Sequence, residues 1–456
     1  MMDFDNYLSP GRKGHLVGIG GVSMSSLAEV LHGMGLVITG SDVNESRNVR
    51  QLRELGIPIY LRHDAANLEP DVEFVVRTAA VHDENPEIAA ARARGIPVFE
   101  RTQAWGAISR DYANALCIAG THGKTTTTSM CTHILMAADR DPTVMIGGTL
   151  PLLNAGHRVG HGNTIVMEAC EYYNSFLSLR PTVAVVLNIE ADHLDFFRDL
   201  EDVENSFLAF AQRVPEDGFV VANADDENTM RTVSKAGRRM ITFGLEKKAD
   251  VTARNVEFIG ANSRFDLVYK GRKFTDVTLH VPGVHNVKNA LAAAAACICL
   301  GVRPNAVKYG LAGFNGAGRR FEFKGKYNGA DVYDDYAHHP GELKALLDTV
   351  ERLGYKRSIL VFQPHTYSRT AALFDDFVEQ LRRPDRLILA EIFAAREQNT
   401  IGISSAALAE KIPGAAFYPS FDELELALRA LAEPGDIVLT VGAGDVYRIG
   451  ERLVGC

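Results

Sequence analysis

The residues Gly120-Thr121-His122-Gly123-Lys124-Thr125-Thr126 are the best equipped for chemistry in this 456-residue chain. They follow the apolar run Ala115-Leu116-Cys117-Ile118-Ala119 and precede a helical pattern from Thr125 to Met136. Small residues after a strand let backbone N–H groups close around phosphate oxygens, and the next helix turns its positive end toward the same charge. A lysine there neutralises the outer phosphates and a threonine hydroxyl reaches Mg²⁺. The match to the full phosphate-loop pattern is partial, because Ile118 stands where its first glycine belongs. A bare Gly-Lys-Thr is as often a solvated loop. The strand–loop–helix context favours a nucleotide.

Two acidic segments follow at predicted strand ends, Glu168-Ala169-Cys170-Glu171 and Asn188-Ile189-Glu190-Ala191-Asp192-His193. Mg²⁺ takes oxygen ligands, so Glu171 is a plausible supplier, whereas His193 equally suits a structural role. Nearer the N-terminus, Gly18-Ile19-Gly20-Gly21-Val22-Ser23 resembles a dinucleotide-binding turn with Ser23 in place of its third glycine. Asp42 ends the next strand, where an acid would meet a ribose hydroxyl. A nicotinamide-dependent oxidoreductase and a uridine-nucleotide binder are both open on these residues. In Pro282-Gly283-Val284-His285-Asn286-Val287-Lys288-Asn289, the amides of Asn286 and Asn289 suit either a base edge or helix capping. Paired Arg319 and Arg320 suit a bidentate hold on phosphate or a surface ion pair. Asp334-Asp335-Tyr336-Ala337-His338-His339-Pro340 and Phe362-Gln363-Pro364-His365-Thr366-Tyr367-Ser368-Arg369 place ionisable groups after further strands. Adjacent histidines point apart, which argues against a shared zinc ion.

Three blocks of alternating strand and helix patterns must position these groups. The first opens with a strand at His15–Ile19, a helix from Ser23 to Met34 and a strand at Leu36–Thr39. The second holds the phosphate loop, apolar runs at Thr164–Met167 and Val183–Leu187, an alternating stretch from Val251 to Val281 and a small-residue helix from Val287 to Leu300. The third carries runs at Ser358–Phe362, Arg386–Leu389 and Ile437–Val441. Continuous apolar runs fit parallel strands buried on both faces, and alternation fits antiparallel ones. The fold class expected is α/β in three domains, 1–109, 110–324 and 325–456. They read as an N-terminal Rossmann-like domain, a central phosphate-loop domain with extra antiparallel strands, and a C-terminal Rossmann-like domain.

Composition sets limits. A net charge of −9 and a pI of about 5.9 argue against a general nucleic-acid or anionic-membrane binder. The six cysteines (Cys117, Cys131, Cys170, Cys297, Cys299, Cys456) lack metal spacing and read as reduced thiols. Met1 to Gly14 shows no signal-peptide pattern and no run reaches the length of a membrane span, so a cytoplasmic protein is expected.

Taken in order, these motifs resemble the Mur ligase family of ATP-dependent amide-bond-forming enzymes along essentially the whole chain. The resemblance implies ATP and Mg²⁺, with UDP-N-acetylmuramate as the acid and L-alanine as the amine, joined through an acyl phosphate. It implies a monomer or dimer acting on small molecules. By the same likeness, Lys124, Glu171, His193, Arg320 and Asp335 are catalytic, and Thr125, Glu171 and His193 hold metal. Gly120, Thr121, His122, Gly123, Lys124, Thr125 and Thr126, with His285, Asn286, Asn289 and Arg320, hold ATP. Gly20, Gly21, Ser41, Asp42 and His63 hold the UDP-sugar, and Tyr336, His338, His365 and Arg369 the amino acid. A sister ligase that attaches a whole peptide to UDP-N-acetylmuramate is the alternative, and a non-catalytic nucleotide-binding scaffold is a further rival. Two departures stand out. The family's acidic segment usually carries two more carboxylates than Glu168-Ala169-Cys170-Glu171-Tyr172-Tyr173, which leaves open whether Glu168 or Glu171 holds metal. Thr366 stands where arginine is common, which shifts recognition of the alanine carboxylate onto Arg369.

Several Mur ligases orient their second Mg²⁺ with a carbamylated lysine soon after the histidine motif, but no lysine occurs from Leu194 to Phe210. Arg198 cannot substitute, since a guanidinium is never neutral at working pH. A fixed carboxylate such as Glu201 or Glu204 is expected to take over the orienting role, or the role is dispensed with. Activity measured after thorough CO₂ removal should therefore equal activity in added bicarbonate.

Overall fold

Runs of β-branched and aliphatic residues that are apolar at every position become the inner strands of parallel sheets, because both of their faces are covered. The computed structural model describes residues 3–78, 81–395 and 397–455, which leaves Cys456 outside. Backbone contacts divide it into two units. Met1–Ile189, Glu204–Thr252 and Ala292–Gly310 form one, and Glu190–Val203, Ala253–Leu291 and Leu311–Cys456 the other.

The first unit contains two sheets. Strands β1 (Lys13–Val17), β2 (Val37–Ser41), β3 (Ile59–Tyr60), β4 (Phe74–Arg77) and β5 (Val98–Glu100) are arranged β3-β2-β1-β4-β5, all parallel. The order reverses at β1, so the turn after β1 lies where doubly wound sheets bind ligands. The helix Val22–Gly33 begins directly after that turn. In the second sheet are β6 (Asn114–Ala119), β7 (Thr143–Leu150), β8 (Ala155–Arg158), β9 (Thr164–Glu168), β10 (Val183–Val186), β11 (Phe219–Asn223) and β12 (Met240–Phe243). Their order is β12-β11-β10-β6-β9-β7-β8. All four residues of β10 are buried, as its unbroken apolar run requires. The helix Lys124–Ala137 leaves the end of β6, with Gly123 at φ +86° as its N-cap. Only glycine takes that conformation without strain.

Strand β13 (Val251–Ile259) starts in the first unit and runs into the second. There β14 (Asn262–Tyr269) and β15 (Arg272–Leu279) pair antiparallel, as the alternating pattern predicts. The second unit's other sheet contains β16 (Glu322–Tyr327), β17 (Ala330–Asp335), β18 (Arg357–Phe362), β19 (Arg386–Leu389), β20 (Ala416–Phe417) and β21 (Asp436–Val441), in the order β16-β17-β21-β18-β19-β20. Only β16 is antiparallel to its neighbour. The small-residue helix is longer than its pattern suggests, Val284–Cys299 rather than Val287 to Leu300. Asn286 therefore lies inside it and is not its cap. No described helix is long and apolar enough to cross a membrane.

Within the first unit, one close approach supports the helix behind the phosphate loop. A Cβ added at Gly310 would stand 2.4 Å from Ile134 Cα and 2.7 Å from Ile134 N. Both atoms are backbone, so no side chain can move aside. Gly310→Ala should cost about 1–3 kcal/mol, the usual range for overpacking. Thermal unfolding should show a Tm several degrees lower, and an unchanged Tm would mean the helices separate freely.

Candidate active site

The loop after β6 is built around Asn188. The Thr121 N–H donates to the Asn188 carbonyl at 3.1 Å, and the His122 N–H to Asn188 Oδ1 at 2.7 Å. Asn188 Nδ2 returns a bond to the His122 carbonyl at 3.1 Å. Asn188 therefore grips the loop at three points, one through its backbone carbonyl and two through its side-chain amide. A Cβ at Gly120, whose φ is +145°, would meet Leu187 Cβ at 2.8 Å, which explains the glycine. Lys124 folds back over the loop: Nζ donates to the Thr121 carbonyl and to both oxygens of Glu171, each at 3.0 Å. Burial favours the neutral amine, but the Glu171 carboxylate outweighs it and keeps the ammonium above its ordinary range.

The other carboxylate of this segment has a different partner. Thr125 Oγ1 lies 3.1 and 3.0 Å from the two oxygens of Glu168, and the Gly147 N–H also donates to Glu168 at 2.7 Å. The sequence reading named Glu171 with Thr125 as metal ligands and left Glu168 open; in the structure Glu168 is bonded to Thr125, and Glu171 to Lys124. A threonine hydroxyl and a carboxylate converging from two elements are hard oxygen donors, and they suit Mg²⁺ completed by water and phosphate.

In the five-stranded sheet, Asp42 is partly buried and holds two backbone N–H groups. Its Oδ2 accepts the Gly20 N–H at 2.9 Å and its Oδ1 the Asn44 N–H at 3.0 Å. A Cβ at Gly20 would meet Val49 at 2.8 Å and this carboxylate at 2.9 Å. Asp42 thus shapes the glycine turn. Ser41 is fully buried and donates to Glu87 Oε2 at 2.6 Å, so its hydroxyl is turned inward. His63 remains partly exposed, with Nδ1 at 2.8 Å from the same Glu87 oxygen.

The second unit gathers the residues expected to hold the amino acid. Tyr336 and His338 rings lie 5.4 Å apart, and His338 and His365 rings 5.7 Å apart. Arg369 Nη1 is 3.2 Å from His365 Nδ1. Burial pushes the His338 imidazole down to about 4 and that of His365 to about 3, so both are neutral at physiological pH. Arg369 is already engaged: Nε and Nη2 lie 3.1 and 2.9 Å from Asp192 Oδ1. Burial opposes ionisation of Asp192, but the Arg369 guanidinium beside it prevails and holds the carboxyl well below its ordinary range. Asp192, His193, Thr366, Ser368, Arg369 and Leu373 line a cavity of about 150 Å³.

Of the paired arginines, Arg319 is a framework residue. It binds Asp334 at 3.0 Å and the carbonyls of Gly444 and Gly442 at 3.1 and 2.6 Å. The Arg320 guanidinium lies over the Tyr336 ring at 4.9 Å. Asp335 accepts the N–H groups of Phe321 and Ala337 at 2.7 and 2.8 Å. Asn286 spends its amide on the Pro282 carbonyl at 2.7 Å, and Asn289 donates to Asn286 at 3.3 Å, so Asn286 is bound within the helix's first turn. His285 is exposed nearby. Glu204, one carboxylate expected to stand in for the missing lysine, pairs instead with Arg231, and Glu201 is exposed. Glu87, Asn188 and Asp192 are the residues whose roles the sequence reading missed.

Comparison with known proteins agrees along the whole chain. The Mur ligase family, catalytic domain matches residues 13–113, the Mur ligase middle domain 118–297, and the Mur ligase, glutamate ligase domain 319–444. The UDP-N-acetylmuramate–L-alanine ligase of Clostridium novyi is 44% identical over 99% of both chains. The chain belongs to the Mur ligase family. An enzyme of the same name from Agathobacter rectalis is 45% identical over 96% of this chain and 97% of its own. The crystal structure of UDP-N-acetylmuramate-alanine ligase from Thermotoga maritima matches this ligase with a TM-score of 0.81 and 30% identity, over 97% and 98% of the two chains. A murein peptide ligase from Psychrobacter arcticus, at 24% identity and TM-score 0.72 over 98% of each chain, shares the fold.

Burial raises the Asp335 carboxyl to about 6, with Arg320 opposing. A carboxyl raised in the folded state contributes stability below its unfolded pKa near 4 and loses it as pH climbs through 6. Asp335→Asn should therefore be more stable than the parent at pH 8, by on the order of 1 kcal/mol, with the gap closing toward pH 4. Urea unfolding at both pH values tests this, and a gap that widens in acid would refute it.

Proposed function

We propose that this enzyme joins L-alanine to the lactyl carboxylate of UDP-N-acetylmuramate at the expense of ATP, in the cytoplasm, as a step of peptidoglycan synthesis. The observation that carries the reading is Lys124, folded over the phosphate loop and held there by Glu171. A carboxylate does not react with an amine in water, because oxide is a very poor leaving group. Transfer of the γ-phosphoryl group onto the carboxylate gives ADP and an acyl phosphate. The alanine amine then attacks the acyl carbon, phosphate leaves, the nitrogen loses a proton and an amide remains.

Each residue group has a task in that sequence. The loop N–H groups and Lys124 hold the phosphates and stabilise charge on the group in transfer. When bound between Thr125 and Glu168, Mg²⁺ would neutralise phosphate charge, and a second ion would be held by His193. Gly20, Gly21 and His63 serve the UDP-sugar, with Ser41 and Asp42 shaping that site. Asn289, His285 and Arg320 serve the nucleotide. Tyr336, His338, His365 and Arg369 serve the amino acid; the neutral His338 ring gives its Nδ1–H to the Tyr336 carbonyl and keeps Nε2 to accept from the ammonium. The tasks follow domains 1–109, 110–324 and 325–456.

The deciding assay is ADP release with UDP-N-acetylmuramate and a panel of amines. Release should require UDP-N-acetylmuramate together with L-alanine; a requirement for a whole peptide would identify the sister activity. Lys124→Ala should lower kcat at least ~10²-fold with the fold intact. Glu168→Gln should raise the Mg²⁺ concentration needed for half-maximal rate more than Glu171→Gln does. The reverse order would return the metal to Glu171.

A further inference from the structure

Glu87 is a carboxylate with no exposed surface, and four side chains converge on it. Oε2 accepts from Ser41 Oγ at 2.6 Å and lies 2.8 Å from His63 Nδ1. Oε1 accepts from Asn67 Nδ2 at 2.6 Å and lies 3.3 Å from His15 Nε2. His15 is itself buried and anchored through Nδ1 to Thr39 Oγ1 at 2.8 Å. Burial would raise such a carboxyl, but the bonds from His15, Ser41 and Asn67 outweigh it and hold it at about 2, so it is ionised at working pH. An ionised carboxylate only accepts hydrogen bonds.

That fact fixes the chemistry of His63. Its side chain is 21% exposed, while Ser41, Glu87 and His15 are fully buried. Nδ1 must carry the proton that Glu87 receives, in whichever charge state the ring adopts. The one tautomer left to the neutral ring has Nε2 bare. Among the described residues Nε2 takes no hydrogen bond, so it is the ring atom available to a ligand. Ser41 contacts the same nitrogen as Glu87, at 3.0 Å, and gives its proton to the carboxylate. The three residues therefore do not form a nucleophilic triad, which needs serine and acid on opposite ring nitrogens.

We propose that Glu87 is a positioning residue for the sugar nucleotide, locking His63 with Nδ1–H inward and presenting Nε2 to the uridine diphosphate end of that substrate. The inference rests on the assignment of His63 to the UDP-sugar site. A surface imidazole otherwise samples two tautomers and several rotamers, and binding would have to select one of them. The buried carboxylate makes that selection beforehand. The neighbours add to it: Asn67 also donates to the Arg62 carbonyl at 2.8 Å, which fixes the turn that carries His63.

The test combines kinetics with histidine-selective ¹⁵N NMR. Glu87→Gln offers Nδ1 an amide that donates as readily as it accepts, so the tautomer is released. Its KM for UDP-N-acetylmuramate should rise about tenfold, while kcat and the KM values for ATP and L-alanine stay within about twofold. His63→Asn, which keeps a group at the Nδ1 position and removes Nε2, should produce the same split. In the unmodified enzyme, the His63 signals should show Nδ1 protonated, and Nε2 should be the nitrogen that shifts when the sugar nucleotide is added. This measurement stands even if Glu87→Gln fails to fold. An unchanged KM in His63→Ala would overturn the assignment of His63 itself. A raised KM there with an unchanged KM in Glu87→Gln, or a His63 signal showing Nε2 protonated and Nδ1 bare, would overturn the role of Glu87 alone.

Discussion

The pairing of Lys124 with Glu171 is the constraint on which the rest of the nucleotide site depends. A phosphate loop needs a cation before the phosphate arrives, yet a buried unpaired ammonium would discharge or drag the loop open. Glu171 answers both problems. It holds the charge, and with the Thr121 carbonyl it holds the side chain over the loop. The loop cannot be shaped by its own glycines alone, and Asn188 supplies three bonds from the end of the neighbouring strand.

The same arrangement recurs in the second unit and in the N-terminal sheet. Arg369 is held by Asp192, and His63 by Glu87. The protein carries a net charge of −9 and yet its substrates are anionic. Long-range attraction therefore contributes little, and recognition depends on short contacts with groups fixed in advance. Fixing each of these side chains against its own carboxylate keeps it in place. The cost is that removal of one partner leaves a buried charge uncompensated, which destabilises more than loss of the pair.

How much of this was legible in the sequence follows from the range of each determinant. Strands β6, β9, β10, β18 and β21 are runs whose apolar pattern is local, and each was read within a residue or two. The alternation from Val251 to Val281 gave its antiparallel strands for the same reason. Glu168 and Glu171 were not separable, because both are carboxylates after one strand. What decides between them is where β9 ends: Glu168 is its last residue, and the chain then bends through Tyr173 and Asn174 at positive φ. Glu87 was invisible for a different reason. In sequence it is an acid in the first turn of the helix Pro86–Ala93, where the helix dipole alone would justify it. Its partners come from β1, β2 and the turn at His63, and only the parallel pairing of those strands brings them to one carboxylate. The bond of Asp42 to the Gly20 N–H was likewise not legible, because it joins two turns 22 residues apart.

Thr366 shows how far the framework goes to place one side chain. It adopts φ +66° and ψ 146°, a region that a β-branched residue enters only under constraint, at a cost of about 1–3 kcal/mol. Three contacts impose it. The Thr366 N–H donates to the Phe393 carbonyl at 2.9 Å, its own carbonyl accepts from Thr370 Oγ1 at 2.7 Å, and its hydroxyl caps the Arg369 N–H at 3.4 Å. A glycine would relieve the strain but remove the cap. The helix Tyr367–Ala372 spans six residues, too few to be stable without its ends fixed. Arg369 lies in that helix, so the orientation of its guanidinium toward Asp192 and His365 depends on the strained residue three positions before it. Where an arginine at position 366 would contribute a second cation, threonine contributes a cap. Arg369 is thus one guanidinium held in place, with backbone strain as the cost of holding it.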